Sequence, residues 1–410
     1  MVQISKLCVL APLRENLSKL CEISASFAFK KLFPSKKIFQ TKVKLPIIPF
    51  QRKKSNLKFI YNTAKMKEPL LAFNDKGIYC QQADVYLDPW RPVTNAIITH
   101  GHADHSRWGH KNYITHHTNV PIIKHRLGPI NVTGKDWNET FTINGVKFSL
   151  HPAGHIIGSA QIRVEYKGEV WVFTGDYKTE GDGISMPYEV VKCDAFITEC
   201  TFGLPVFKWT PQAEVMTDIN NWWAENRAEG KTSVLFGYSL GKAQRLLKYL
   251  DTDIGKIYTH GAIENMTEVL RPMVHFPETT RITRETKKEE LLGNIILAPP
   301  SAHGSTWIRR MTPYVTGSAS GWMAFRGARR RRAVDRGFVL SDHCDWTGLL
   351  ESIKATGAEK VICTHGYSDI FSKYLIELGY DARTANTQYE GESGEMDAKK
   401  DVEEEQENSQ

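Results

Sequence analysis

Thr99-His-Gly-His-Ala-Asp-His105, directly after the apolar run Asn95-Ala-Ile-Ile, is the stretch on which the fold turns. It reads H-x-H-x-D-H. His100 and His102 are two apart, so in extended backbone both project to one side and can hold the same ion. Asp104 and His105 fall where the chain is expected to turn toward a helix, which would aim them at a second ion beside the first. Neutral imidazoles with carboxylates suit zinc, and no thiolate is required. Any one of these histidines alone would be an ordinary core or surface residue. Three histidines and an aspartate within six residues at a strand end argue for a metal site.

Further candidate ligands follow in chain order. His155 lies in the glycine-rich loop Pro152-Ala-Gly-His-Ile-Ile-Gly-Ser-Ala160, where backbone can approach an ion closely. Asp176 ends the apolar run of Phe173-Thr-Gly-Asp-Tyr177, where its carboxylate can bridge two metals ~3.5–4 Å apart. His365, in Ile362-Cys-Thr-His-Gly366, is again at a strand end, but Tyr258-Thr-His-Gly261 repeats the Thr-His-Gly context at His260. Spacing alone does not choose between His260 and His365.

Short strands are expected to dominate 67–205. Asn144-Gly145 and Lys167-Gly168 are hairpin turns between alternating runs, and such hairpins build antiparallel sheet. After 206 the pattern becomes α/β. A helix is predicted from Gln212 to Glu229, with Val215, Ile219, Trp222 and Trp223 on its apolar face, and another over Ala243 to Leu250. Strands are predicted at Thr232 to Phe236, Lys256 to Tyr258, Asn294 to Ala298, Phe338 to Leu340 and Lys360 to Cys363, and helices at Trp346 to Thr356 and Ser368 to Leu378.

Of 410 residues, 41% are hydrophobic and 24% charged, ordinary values for a globular chain. No apolar run approaches the ~18 to 20 residues of a membrane span, so a soluble, non-membrane protein is expected. The seven cysteines are scattered, without a C-x-x-C pair, which suggests a reducing compartment such as the cytoplasm and no cysteine zinc site. The net charge of +7 is uneven: residues 1–65 carry +12, the tail 390–410 carries −7, and +2 remains for 66–389. Nucleic-acid binding therefore has to be argued from where charges sit. The basic 1–65 is read as an extension that is disordered or untranslated, with Met66 as the start; a targeting segment is the alternative. The acidic 391–410 is read as a disordered tail.

H-x-H-x-D-H followed by His155, Asp176 and a late histidine resembles the metallo-β-lactamase superfamily, whose fold is an αββα sandwich with its metals at one edge. Ile197-Thr-Glu-Cys-Thr-Phe-Gly203 resembles the acidic motif of the β-CASP group, and Leu340-Ser-Asp-His-Cys-Asp345 its histidine motif. Asp84-Val-Tyr-Leu-Asp-Pro-Trp-Arg-Pro-Val93, Ser320-Gly-Trp-Met323 and Arg326-Gly-Ala-Arg-Arg-Arg-Arg-Ala-Val-Asp-Arg-Gly-Phe338 resemble the bacterial DNA-ligase-associated exonucleases, which are akin to mRNA 3′-end processing factors. The likeness covers about 67–390. It implies a metallo-β-lactamase domain in two parts, 67–205 and 341–390, around a β-CASP-like α/β insertion at 206–340.

The resemblance also implies roles. His100, His102, Asp104, His105, His155, Asp176 and His365 would hold two zinc ions, with manganese as the alternative, and His365 is preferred to His260 because the latter falls in the insertion. Asp104 and Asp176 would join Glu199 and His343 in catalysis, His343 being paired with Glu199 and protonating the leaving oxygen. Asp88, before Pro89, would orient a ligand histidine; the plainer alternative is a turn carboxylate. The implied activity is metal-dependent phosphodiester hydrolysis of DNA in repair, with an ATP-dependent DNA ligase or helicase as partner. A histidine at 365 is typical of RNA-acting members, whereas Artemis-like DNA nucleases often have valine, so an RNA-processing nuclease is the first alternative. A small-molecule metallohydrolase is the second, but it would have no use for the insertion or the Glu199/His343 pair. A metal-free scaffold would not keep every ligand.

Arg326, Arg329, Arg330, Arg331 and Arg332 form the dense basic run of the body and are candidates for phosphate contact, the alternative being a solvated face. Gly237-Tyr-Ser-Leu-Gly-Lys242 has one residue too few between its glycines, and Ala243 where a magnesium-binding hydroxyl belongs, so an NTPase is rejected. Trp222 and Trp223 are expected to pack a helix rather than stack on bases.

Overall fold

The structure is a computed structural model that describes residues 69–325, 327 and 333–389. Among these, nineteen strands form three sheets. The first contains β1 (Ala72–Phe73), β2 (Ile78–Cys80), β3 (Val85–Leu87), β4 (Asn95–Ile97), β5 (Asn112–His116) and β6 (Val132–Lys135), side by side in that order. Its first two pairings are antiparallel and the remaining three parallel.

The second sheet is built from β7 (Phe141–Ile143), β8 (Val146–Pro152), β9 (Ala160–Tyr166), β10 (Glu169–Phe173), β11 (Ala195–Cys200), β18 (Lys360–Gly366) and β19 (Asp381–Thr384), in the order β19-β18-β11-β10-β9-β8-β7. The Asn144-Gly145 and Lys167-Gly168 hairpins close as the turn residues dictate, with positive φ at all four positions. Beyond β10 the sheet runs parallel through β11, β18 and β19. The expected antiparallel pairing thus runs from β7 through β10 and gives way to parallel pairing from β11 on, where long crossovers replace tight turns.

These two sheets share one core. Ile78, Val85, Leu87 and Ile97 pack in the same cluster as Phe148, Ile162, Val164, Trp171, Ile197 and Ile362. The opposite face of the second sheet, with Val172, Phe196 and Val361, is covered by Leu349 and Ile353 and by Phe371 and Leu375.

The third sheet is entirely parallel: β12 (Thr232–Phe236), β13 (Ile257–Thr259), β14 (Thr280–Arg281), β15 (Ile295–Ala298), β16 (Tyr314–Ala319) and β17 (Arg336–Phe338), in the order β14-β13-β15-β12-β16-β17. The longer helices are α1 (Asn119–Leu127), α2 (Gln212–Ala228), α3 (Lys242–Tyr249), α4 (Gly261–Leu270), α5 (Trp346–Thr356) and α6 (Ser368–Glu377). Ile219, Trp222 and Trp223 of α2 and Leu246 of α3 pack on Leu235 and Leu297, so the two tryptophans are core, as their helical spacing predicts.

Five elements depart from the sequence expectation. The segment after His105 makes bends and leads into β5, not into a helix, because Gly109 (φ +103) breaks the chain's direction. Helix α1 was not expected: Pro121 in its first turn and its basic end hide the apolar period, although proline is tolerated in a first turn. Strand β16 and helix α4 were likewise not expected, the latter because it opens on glycine. Strand β17 ends at Phe338 instead of starting there. The readings of 1–65 and 391–410 fall outside the described residues.

Candidate metal centre

The loop after β4 begins with Thr99 and His100 and is fixed from below by Asp88. The Asp88 carboxylate accepts from the Thr99 amide at 2.7 Å, from the Thr99 hydroxyl, and from Nδ1 of His105 at 2.7 Å. Asp88 itself sits at φ +38, an unusual conformation for a non-glycine residue. This carboxylate does more than cap a turn, since it fixes the imidazole of His105. Buried completely, its pKa is raised by desolvation, against the pull of His105.

Five imidazoles and the carboxylates of Asp176 and Asp104 meet above that loop. His102 Nδ1 is 3.1 Å from His155 Nε2, and His100 Nε2 and His155 Nε2 are 3.5 and 3.8 Å from Asp176 Oδ2. On the other side of the same carboxylate, His105 Nε2 and His365 Nε2 are 3.4 and 3.1 Å from Asp176 Oδ1. Asp104 Oδ2 is 3.7 Å from His105 Nε2. Two atoms that ligate one tetrahedral ion at 2.0–2.2 Å stand about 3.3–3.6 Å apart, and the separations here, 3.1–3.8 Å, bracket that range. Asp176 therefore offers one oxygen to each of two half-sites.

The second nitrogen of each ring is already engaged. His102 Nε2 donates to the Leu240 carbonyl at 3.1 Å and His155 Nδ1 to the Asp342 carbonyl at 2.9 Å. Nδ1 of His100 faces the Thr99 hydroxyl at 3.0 Å, and Nδ1 of His365 the Thr364 hydroxyl at 3.3 Å. What remains is a set of buried polar atoms without a hydrogen bond: Nε2 of His100, His105 and His365, and Oδ1 of Asp176. Leaving such atoms unsatisfied costs about 1–3 kcal/mol each, and a divalent cation in each half-site would satisfy them. The donor set therefore fits divalent metal.

Electrostatics agree. Burial pushes His100 and His155 well below the ordinary imidazole value, with neighbouring rings adding to it, and lowers His102 as well, keeping all three in the neutral form that ligates. Burial also opposes charge on His105, but Asp176 and Asp104 outweigh it and hold its pKa well above the usual value. The same histidines, His105 and His343 first, overcome the burial of Asp176 and hold it well below the carboxylate range.

Glu199, on β11, and His343 form a buried pair beside this cluster. Nδ1 of His343 lies 2.8 Å from both Glu199 oxygens, which also accept from the Tyr177 amide at 3.0 Å and the Thr201 hydroxyl at 2.5 Å. The rings of His343 and His155 are 4.7 Å apart.

The comparisons with known proteins fit this arrangement. No family model matches. A protein named probable DNA ligase, from Opitutus terrae, is 32% identical over 313 residues, 75% of this chain and 30% of the relative. Endoribonuclease ysh1 of Aspergillus fumigatus is 36% identical over 121 residues, 28% of this chain and 13% of the relative, and ysh-1 of Neurospora crassa is 36% identical over 126 residues, 30% and 14%. The chain belongs to the β-CASP group of the metallo-β-lactamase superfamily. It spans under a third of the length of each of these relatives. A crystal structure of a protein of unknown function from Enterococcus faecalis V583 shares the fold, with a TM-score of 0.50 at 11% identity over 72% of this chain and 79% of that one.

Each β-CASP motif residue anticipated from the sequence lies at or beside the cluster: Asp88, His100, His102, Asp104, His105, His155, Asp176, Glu199, His343 and His365. His260 does not join it. It caps α4, accepting from the Ala262 amide at 3.1 Å, and its ring packs on Trp307. Arg326 and Arg329 to Arg332 lie outside the described residues.

Three contributors were not anticipated. The loop Gly237 to Lys242 supplies the Leu240 carbonyl, and its rejection as a phosphate loop stands, because Lys242 is buried, donating to the Leu340 carbonyl at 2.9 Å and pairing with Asp342 at 3.1 Å. Arg245 pairs with Asp342 at 3.0 Å. Together they hold the carbonyl on which His155 rests. Tyr389 is the third.

Proposed function

We propose that this chain is a metal-dependent nuclease that hydrolyses phosphodiester bonds of DNA, as a DNA-ligase-associated exonuclease in repair. The observation that carries the proposal is Asp176, one oxygen facing His100 and His155 and the other facing His105 and His365, with the Glu199/His343 pair alongside. In this reading the domains follow the sequence expectation: an αββα metallo-β-lactamase domain from 67–205 and 341–390, interrupted by the β-CASP-like 206–340. The protein works in the cytoplasm, with a ligase or helicase as partner.

His100, His102 and His155 would hold one ion and Asp104, His105 and His365 the other, with Asp176 common to both. Bound zinc, or manganese as the alternative, would polarise a phosphate oxygen and lower the pKa of water toward neutrality. The chain's own residues do the rest. Asp88, Leu240 and Asp342 fix the imidazoles so that nothing has to reorganise when charge develops. Glu199 accepts from Nδ1 of His343, which leaves Nε2 as the face that donates a proton to the departing oxygen.

DNA is favoured by the long match to the ligase-named relative, which covers most of this chain. RNA is the second reading, favoured by the endoribonuclease relatives, whose matches are shorter. End-labelled single-stranded DNA and RNA of one sequence, incubated with the purified protein with and without chelator, test both. DNA cleavage abolished by chelator is expected. Cleavage of RNA alone would select the second reading, and cleavage untouched by chelator, or of neither strand, would sink the proposal.

A further inference from the structure

Past β19 the chain does not leave the molecule but runs back beneath the metal centre. The Ala385 amide donates to the Cys363 carbonyl of the strand that carries His365, at 2.9 Å. Arg107 then bridges this segment to the ligand loop, donating from Nε to the Asp104 carbonyl at 3.3 Å and from its terminal nitrogen to the Gln388 carbonyl at 2.9 Å. Tyr389 ends it. Its ring is buried and lies parallel to the imidazole of His105, with centroids 4.3 Å apart and planes 12° apart. The ring of His365 meets it edge-on at 5.7 Å, and Trp90 and Phe173 close its other sides at 5.6 and 6.2 Å. Its hydroxyl donates to the Asp88 carbonyl at 2.9 Å, the residue held at φ +38 whose side chain fixes His105.

We propose that Tyr389 is a positioning residue for the second half-site: its ring is the plate that fixes the plane of His105, so that Nε2 points at the ion shared with Asp104, Asp176 and His365. A histidine held only at Nδ1 keeps one soft rotation, about its bond to Cβ, and a parallel ring in contact removes it. Among the described residues no ring stacks parallel on a ligand of the first half-site: Tyr238 meets His102 at 6.1 Å, tilted by 34°. His100, His102 and His155 are fixed by hydrogen bonds to Thr99, Leu240 and Asp342. Tyr389 therefore acts on one ion and not on the other.

The inference rests on reading His105 as a ligand, and the test separates the two. The full chain is loaded with zinc, freed of excess metal and titrated with a chromogenic chelator, and near-ultraviolet circular dichroism checks its packing. Y389L should release one of its two ions at a chelator concentration about 10–100-fold below wild type, the usual cost of losing an outer contact to a ligand, and hold the other unchanged. Y389F, which keeps the ring, should release both within about threefold of wild type. H105A is the control. If H105A keeps both ions, the reading of His105 as a ligand fails, whatever Tyr389 does. If H105A loses one ion and Y389L neither, the inference about Tyr389 is overturned while the ligand stands. Equal release from Y389F and Y389L, or equal weakening of both ions with altered dichroism, also overturns it.

Discussion

Nδ1 of His343 stands 2.8 Å from both carboxylate oxygens of Glu199, in a pocket where neither side chain is more than 2% exposed. The two residues are 144 apart in the chain, so the fold brings them together rather than local geometry. A buried carboxylate at this distance fixes the tautomer and orientation of the ring it faces. Glu199→Gln keeps the shape and can still accept a hydrogen bond, but it no longer favours an imidazolium opposite. Its kcat should fall about 10²–10³-fold, with KM and metal content within a factor of about two. Elemental analysis beside steady-state rates on labelled DNA reads this. A variant that loses metal in proportion to rate would make Glu199 a ligand instead of a partner to the proton donor.

His365 and His260 share the same Thr-His-Gly context and occupy opposite roles. His365 Nε2 is 3.1 Å from Asp176, whereas His260 caps α4. His365→Ala should lower the content of one ion and cut cleavage at least about 100-fold, because an ion with one ligand fewer is held weakly. His260→Ala should leave metal and rate unchanged and cost about 1 kcal/mol of stability for the lost cap. The reverse pattern would reassign the ligand.

His260 also sets a pH dependence that has nothing to do with metal. Burial pushes its pKa from 6.5 down to about 4. Between those two values the unfolded chain takes up a proton that the folded chain refuses. Its stability contribution is therefore full above 6.5, declines as pH falls, and is gone below about 4. His260→Asn retains a cap and removes the titration. Between about pH 7 and pH 4.5 its urea midpoint should fall less than that of the wild type. Parallel curves for the two proteins would assign the acid sensitivity to other groups.

The contrast between the two histidines shows what a linear sequence can carry. The string from His100 to His105 is readable because its four candidate ligands fall within six residues. His155, Asp176 and His365 were readable as strand-end residues once a metal was suspected. Leu240 was not, because it acts through a backbone carbonyl 138 residues from the ring it holds, and a carbonyl has no residue type to recognise. Asp342 acts on His155 the same way, 187 residues on. Tyr389 looked like the last residue before a tail, since nothing in its neighbourhood announces that the chain turns inward there. In the fold, helix α1 was hidden by Pro121, and the parallel half of the second sheet by crossovers longer than any local pattern.

Gly241 puts the contribution of the Leu240 loop to a test. It sits at φ +92, and a Cβ built there would come 2.4 Å from Cγ2 of Ile156, next to the candidate ligand His155. The loop approaches the metal centre only because no side chain stands between them. Gly241→Ala strains the backbone and pushes the loop off Ile156. The variant should lose about 1–3 kcal/mol of stability, and the displaced Leu240 carbonyl should no longer hold Nε2 of His102. That ring then turns, and the ion shared by His100, His102 and His155 should leave at a chelator concentration about tenfold lower, while the ion at His105 and His365 stays. Denaturant titration and stepwise metal release measure the two effects separately. A destabilised variant that keeps both ions at wild-type affinity would show that His102 is held without the Leu240 carbonyl, and that the loop only packs against it.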